Sequence, residues 1–221
     1  MIFPTLLNVQ GFLFYIKRGD RVMKKPAHRI VLIAILGAMA YLLMLLNFPI
    51  PFMPPFLSFD LAQIPEVIGT LILGPVAGIT IALLKELLKI ALSGSGTMLT
   101  GELINFIVSV SFILPTWLVY RRKQTSKAAV EGMAVGAVFA TVVACVANIY
   151  FILPLYATAF NMSVDQIVAM TQAVNPYINS LPRLVLFGLA PFNLLRNGLT
   201  TLVLGLSLNR LKSALGSRLR A

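Results

Sequence analysis

A few polar side chains stand inside long apolar runs, and their types and spacing are the first clue to chemistry. Asn193 and Arg196 sit three residues apart within the run 183–208. Pro191 lies just before them and frees a backbone carbonyl deep in that run. An arginine buried beside an asparagine is expensive unless something polar is bound or paired there, so this pair reads as a binding site. Asn148, near the end of the run 130–151, suits a helix–helix hydrogen bond or a ligand contact. Lys85, Glu86 and Lys89 fall within 76–92. Lys85 and Lys89 share a helix face, and Glu86 to Lys89 is an i,i+3 pair that can neutralise itself. A binding role and a structural ion pair both remain open for this group. Glu102 and Asn105 form a further i,i+3 pair, although Glu102 also fits a helix N-terminus.

The same inventory points away from catalysis. The chain has one histidine, His28, in a basic N-terminal segment where an interfacial position is expected, and one cysteine, Cys145, inside an apolar run. There are no paired carboxylates, no metal-ligand cluster and no GxxxxGK[ST] phosphate loop. Binding, and not an enzyme activity, is the expectation. No cofactor and no metal are implied.

These groups must be positioned by membrane helices. Of 221 residues 58% are hydrophobic and 11% charged, with a mean hydropathy of +0.90, too apolar for a soluble globule. The net charge of +11 is not a nucleic-acid signature. Of 18 Lys and Arg, six lie at 17–29, four at 121–127 and four at 210–220. These blocks flank apolar runs, as cytoplasmic loops do.

Six transmembrane helices are expected, at about 30–46, 61–73, 76–92, 102–120, 130–151 and 183–208. Four spans then separate the first two basic blocks and two separate the second from the third, so every block and both termini fall on the cytoplasmic side of the cell membrane. The loops 48–59, 93–100 and 154–182 fall outside, where they could share one pocket with Asn148 and Asn193. Residues 1–22 read as an unstructured or interfacial extension, and 23–221 as the membrane domain. Within 154–182, Ser163 and Gln166 have capping-box spacing for a short helix.

The first external connection is rich in proline, with Pro49, Pro51, Pro54 and Pro55 among Phe48, Phe52, Phe56 and Phe59. Proline fixes φ and removes donors, so neither a helix nor a central strand survives there. A stiff aromatic loop of this kind is either a lid over a flat apolar ligand or a connector whose rings lie at the lipid interface. In the first span, Ala34 and Ala38 lie four apart and allow close approach of another helix.

Several short motifs occur in order: Asn47-Phe-Pro-Ile-Pro-Phe52, Pro55-Phe-Leu-Ser-Phe-Asp60, Ile64-Pro65, Gly74-Pro-Val-Ala-Gly78, Leu84-Lys85, Gly101-Glu-Leu-Ile-Asn105 and Pro191-Phe-Asn-Leu-Leu-Arg196. Together they resemble the riboflavin-specific substrate-binding subunit (S component) of energy-coupling factor (ECF) transporters, over about 24–210. The resemblance implies an all-α six-helix membrane bundle with a Pro-rich external loop between helices 1 and 2. It implies capture of riboflavin from outside and delivery inward with a transmembrane coupling subunit (T component) and two ATPase subunits. By the same resemblance, the substrate contacts would be Phe56, Leu57, Ser58, Asn148, Asn193 and Arg196, and the partner-docking face Ala34 and Ala38. This chain departs from the family pattern at Arg196, where lysine is usual, and at Glu86, where asparagine is usual.

The residue chemistry agrees with a flavin. Aromatic and aliphatic walls suit the flat faces of the isoalloxazine ring, and asparagines suit its imide-like edge. A phosphorylated flavin would want more cationic charge than Arg196, with Lys89 or Arg183, supplies. The alternatives are an S component for FMN or another vitamin, and a self-sufficient secondary transporter. The latter would want a coupling-ion site and often an internal repeat, and no clear repeat relates the two halves.

Overall fold

The structure is a computed structural model. It describes residues 26–54 and 57–215, with side chains described to residue 208. The expected extension 1–22 and Phe56 lie outside the described residues.

Apolar sequence and punctuating prolines and glycines set the element order. Helix α1 (Pro26–Leu45) leads into a two-residue antiparallel ribbon, β1 (Phe48–Pro49) with β2 (Ser58–Phe59), in which Phe48 pairs with Phe59 and Pro49 with Ser58. The ribbon is short because the prolines between its strands supply no N–H groups. The chain turns instead, with Met53 N–H donating to Ile50 O and Leu57 N–H to Pro54 O. Helix α2 (Gln63–Leu73) begins where Asp60 Oδ1 accepts from Ala62 N–H at 2.8 Å. It stops at Gly74, whose φ of 95° is open to glycine. Pro75 then occupies the first turn of α3 (Pro75–Ser93), where its missing N–H has no consequence.

After the turn 94–99 come α4 (Thr100–Lys123) and α5 (Ser126–Ala147). They pack closely because Gly132 and Gly136 face the α4 backbone. A Cβ at either would lie 2.6 Å from the carbonyl oxygen of Thr116 or Phe112, the small-residue contact that membrane helices favour. Helix α5 continues through a wide π-turn (Asn148–Ile152) into α6 (Leu153–Ala159). The helical rod therefore runs further than the expected 130–151, and the connection after it is correspondingly shorter. That connection carries α7 (Val164–Gln172), capped by the reciprocal Ser163–Gln166 box that its spacing predicts. Helix α8 (Leu181–Leu184), a second π-turn (Val185–Leu189) and α9 (Ala190–Leu215) complete the chain.

Pro26–Leu45, Thr100–Lys123 and Ser126–Ala159 are each long and apolar enough to cross a membrane, and Gln63–Leu73 is a shorter apolar helix. One packed core joins α4, α5 and α9 through Phe112, Met133, Ala140 and Leu204. A smaller one joins α1 to α3 through Leu36, Ala40 and Ile81. Asn175 Nδ2 donates to Phe52 O at 3.0 Å, tying the connection after α7 to the Pro-rich loop.

Candidate functional site

Polar residues of α4, of the π-turn that follows α5 and of α9 meet at a cavity of about 70 Å³. Leu57 of the Pro-rich loop, Thr97 of the turn 94–99, Thr100 at the start of α4, and Asn148, Asn193 and Arg196 all line it. Apolar walls come from Ile104, Val108, Ile152, Tyr156, Ile167 and Phe192.

Two prolines shape its helical walls in the same way. Pro154 and Pro191 are each the second residue after a π-turn. In each turn the bond closes five residues back, from Leu153 N–H to Asn148 O and from Ala190 N–H to Val185 O. A proline cannot donate to the carbonyl four residues earlier and its ring crowds that carbonyl, so a widened turn relieves the clash. Such turns recur at functional sites. Here Asn148 opens one and Asn193 follows the other.

Both asparagines are buried and half-used. Asn148 Nδ2 donates to Ala144 O at 2.7 Å, and Asn193 Nδ2 to Leu189 O at 2.8 Å. Donation to a carbonyl fixes which end of each amide is nitrogen. Each amide keeps its Oδ1 acceptor and one N–H, and neither Oδ1 has a partner among the described residues. Two groups that can each accept and donate at one cavity match a ligand edge that alternates N–H and C=O.

Arg196 is held by two elements. Its Nη2 donates to Asp60 Oδ2 at 3.0 Å and Oδ1 at 3.2 Å, and its Nη1 donates to Asn105 Oδ1 at 3.1 Å. Both members of the ion pair are nearly fully buried. Asp60 thus fastens the end of the Pro-rich loop to α9, 136 residues away in sequence.

Behind this pair, Lys85 lies fully buried with Nζ 2.8 Å from Glu66 Oε1 and 3.0 Å from Glu86 Oε1. Lys89 turns to Glu102 at 2.5 Å, so the Glu86–Lys89 pairing that sequence spacing offers is not the one formed. Glu102 also accepts from Ser95 Oγ at 2.8 Å and Thr97 Oγ1 at 3.1 Å, pinning the turn 94–99 to the start of α4.

Of the sequence-predicted contacts, Leu57, Asn148, Asn193 and Arg196 come together at the cavity. Ser58 lies in β2, exposed and outside the lining, and Phe56 is not among the described residues. Of the loop aromatics, Phe59 is buried while Phe48 and Phe52 are exposed. Ala34 and Ala38 lie exposed on α1, away from the face that buries Leu36, Gly37 and Ala40. Sequence reasoning did not assign Asp60, Thr97 or Thr100 to the site. Asp60 stands outside the apolar runs, and its partner is 136 residues distant, so no local pattern marks it.

Comparison with known proteins gives a consistent picture. Residues 28–206 match the family described as ECF transporter, substrate-specific component. The riboflavin transporter RibU of Staphylococcus aureus strain TCH60 is 32% identical over 187 residues, covering 85% of this chain and 92% of that protein. The riboflavin transporter FmnP of Bacillus subtilis strain 168 is 30% identical over 185 residues, covering 83% and 92%. A solved structure of the S component of a bacterial ECF transporter superposes with a TM-score of 0.66 at 29% identity, covering 85% of this chain and 96% of that one.

Proposed function

This chain belongs to the substrate-specific components of ECF transporters, and from that premise we propose that it is the subunit that captures riboflavin outside the cell and delivers it inward with an ATP-driven ECF module. It is a transport component and not an enzyme, and the flavin is its cargo. The observation that carries the reading is the pair of half-used amides, Asn148 and Asn193, facing one cavity between apolar walls. The imide edge of a flavin offers C=O, N–H and C=O in sequence, which such amides can read. Leu57, Asn148, Asn193 and Arg196 are the proposed contacts, joined by Thr97 and Thr100. Phe56 and Ser58 are proposed with them from the family pattern.

We read the fold as six spans, made by α1, α2, α3, α4, α5 with α6, and α8 with α9, in a membrane domain that starts near residue 23. The three basic blocks and both termini are then cytoplasmic, and the cavity opens toward the Pro-rich loop on the outer side. The exposed Ala34 and Ala38 on α1 are the proposed face for a T component, with two ATPase subunits behind it. Tight binding alone does not release cargo, so energy from those partners has to tip the loaded state.

The test is a fluorescence titration of the purified protein with riboflavin, FMN, thiamine and folate. Saturable quenching by riboflavin, with none by thiamine or folate, is the expected result. Quenching by none of them would overturn the riboflavin assignment.

A further inference from the structure

Arg196 is the charged side chain in the cavity lining, yet its charge is not left free. Asp60 takes both of its Nη2 contacts at 3.0 and 3.2 Å, and Asn105 takes Nη1. The surrounding charges do not restore a positive surplus. Behind the pair, one cation, Lys85, stands between two carboxylates, Glu66 and Glu86. Beside the turn 94–99, Lys89 and Glu102 cancel each other. Asp60, Glu66, Glu86 and Glu102 thus face Arg196, Lys85 and Lys89, four carboxylates against three cations. The whole chain carries +11, but among the described residues no cation other than Arg196 lines the cavity.

We propose that Asp60 is a specificity-determining residue, which cancels the charge of Arg196 at the cavity wall and so selects neutral riboflavin over its phosphate ester. A phosphate monoester brings roughly −1.5 to −2 charges at neutral pH. Its natural partner would be the guanidinium, but Asp60 holds Nη2 and Asn105 holds Nη1, which leaves the buried Nε–H as the nitrogen without a partner among the described residues. The phosphate must either displace Asp60, leaving a buried carboxylate unpaired, or approach Nε with the Asp60 charge still cancelling the guanidinium and repelling it. Riboflavin, being uncharged, meets neither obstacle. Discrimination here comes from a repulsive element placed against the wrong ligand.

Asp60→Asn separates charge from shape. The amide keeps an Oδ1 that can accept from Ala62 N–H, as the carboxylate does at 2.8 Å, so the turn into α2 persists while Arg196 loses its counter-charge. The proposal rests on the riboflavin reading, and its test is the ratio of FMN to riboflavin dissociation constants for purified wild-type and variant proteins. In Asp60→Asn the ratio is expected to fall by at least about tenfold, because an uncompensated cation now attracts the phosphate. Arg196→Gln, which leaves the carboxylate uncancelled, is expected to shift the ratio the other way, and it serves as the test where Asp60→Asn does not fold. A purely structural latch would weaken both ligands alike and leave the ratio unchanged. An unchanged ratio in the variant measured therefore overturns the specificity role while leaving the cargo assignment intact. Wild-type protein that binds neither flavin overturns the cargo assignment itself, and this role with it.

Discussion

At the cavity, Asn148 and Asn193 each spend one N–H on a carbonyl of the preceding turn and hold the rest of the amide open. Between α2 and α3, Lys85 is fully enclosed by Glu66 and Glu86, and none of the three lines the cavity. Both sets are buried polar side chains in apolar helices, and by residue type either could be a binding site. They differ in where their remaining capacity points. The amides face an opening shared with aliphatic and aromatic walls. The ions face one another across two helices joined by the short Gly74–Pro75 break. A buried polar group signals binding when what it has left over belongs to the lining of an opening a ligand can enter. When its charge is paired internally and its spare atoms lie outside the cavity lining, as Glu66 Oε2 and Glu86 Oε2 do, it fixes how helices register.

The strongest way to break this contrast is to remove the central cation. Lys85→Met keeps much of the side-chain volume but leaves Glu66 and Glu86 buried together without a counter-charge. Removing one partner of a buried ion pair typically costs about 3–5 kcal/mol. The expected outcome is a large loss of thermal stability and folded yield in detergent, with or without flavin. A variant as stable as wild type, yet unable to bind riboflavin, would place Lys85 in the site and erase the distinction.

That distinction was only partly legible in the sequence. Asn148, Asn193 and Arg196 announce themselves as polar groups in apolar runs, with Pro191 marking the broken turn beside two of them. The Ser163–Gln166 cap and the Gly74–Pro75 break are local, and local chemistry predicts both. Pairing is not local. Lys89 has Glu86 three residues away but chooses Glu102, which the fold brings to 2.5 Å. Arg196 chooses Asp60, whose place at the end of a proline loop gives no hint of α9. The π-turns were missed for a related reason. A proline announces a lost hydrogen bond, but whether a helix kinks, stops or widens depends on the helices packed around it.

A middle-sized effect should come from the open side of the comparison. Asn193→Ala removes an amide whose internal bond is a single contact with Leu189 O, so the helix loses little. Riboflavin loses a buried polar partner, worth about 1–3 kcal/mol, or roughly 5- to 150-fold in affinity. The expected signature is weaker binding by titration with the melting temperature of the unliganded protein near wild type. Wild-type affinity would remove Asn193 from the site.

The smallest effect, and the one that sharpens the contrast most, is expected at Lys89. Its side chain is 25% exposed while Glu102 is 3% exposed, so the pair belongs to both classes at once. The ion pair is internally satisfied like that of Lys85, yet Glu102 also holds Thr97, which lines the cavity. Lys89→Met leaves Glu102 with the hydroxyls of Ser95 and Thr97, and the carboxylate is not stranded as Glu66 would be. Partial exposure further screens the loss, so stability should fall by only about 1 kcal/mol. Because Glu102, which anchors the turn 94–99, loses its own partner, riboflavin affinity should fall by a few-fold at the same time. A joint small loss, measured by thermal melting and titration on one preparation, is what a residue coupling the two regions produces. If stability fell as far as in Lys85→Met with affinity intact, Lys89 would belong wholly to the structural network, and Thr97 would be positioned without it.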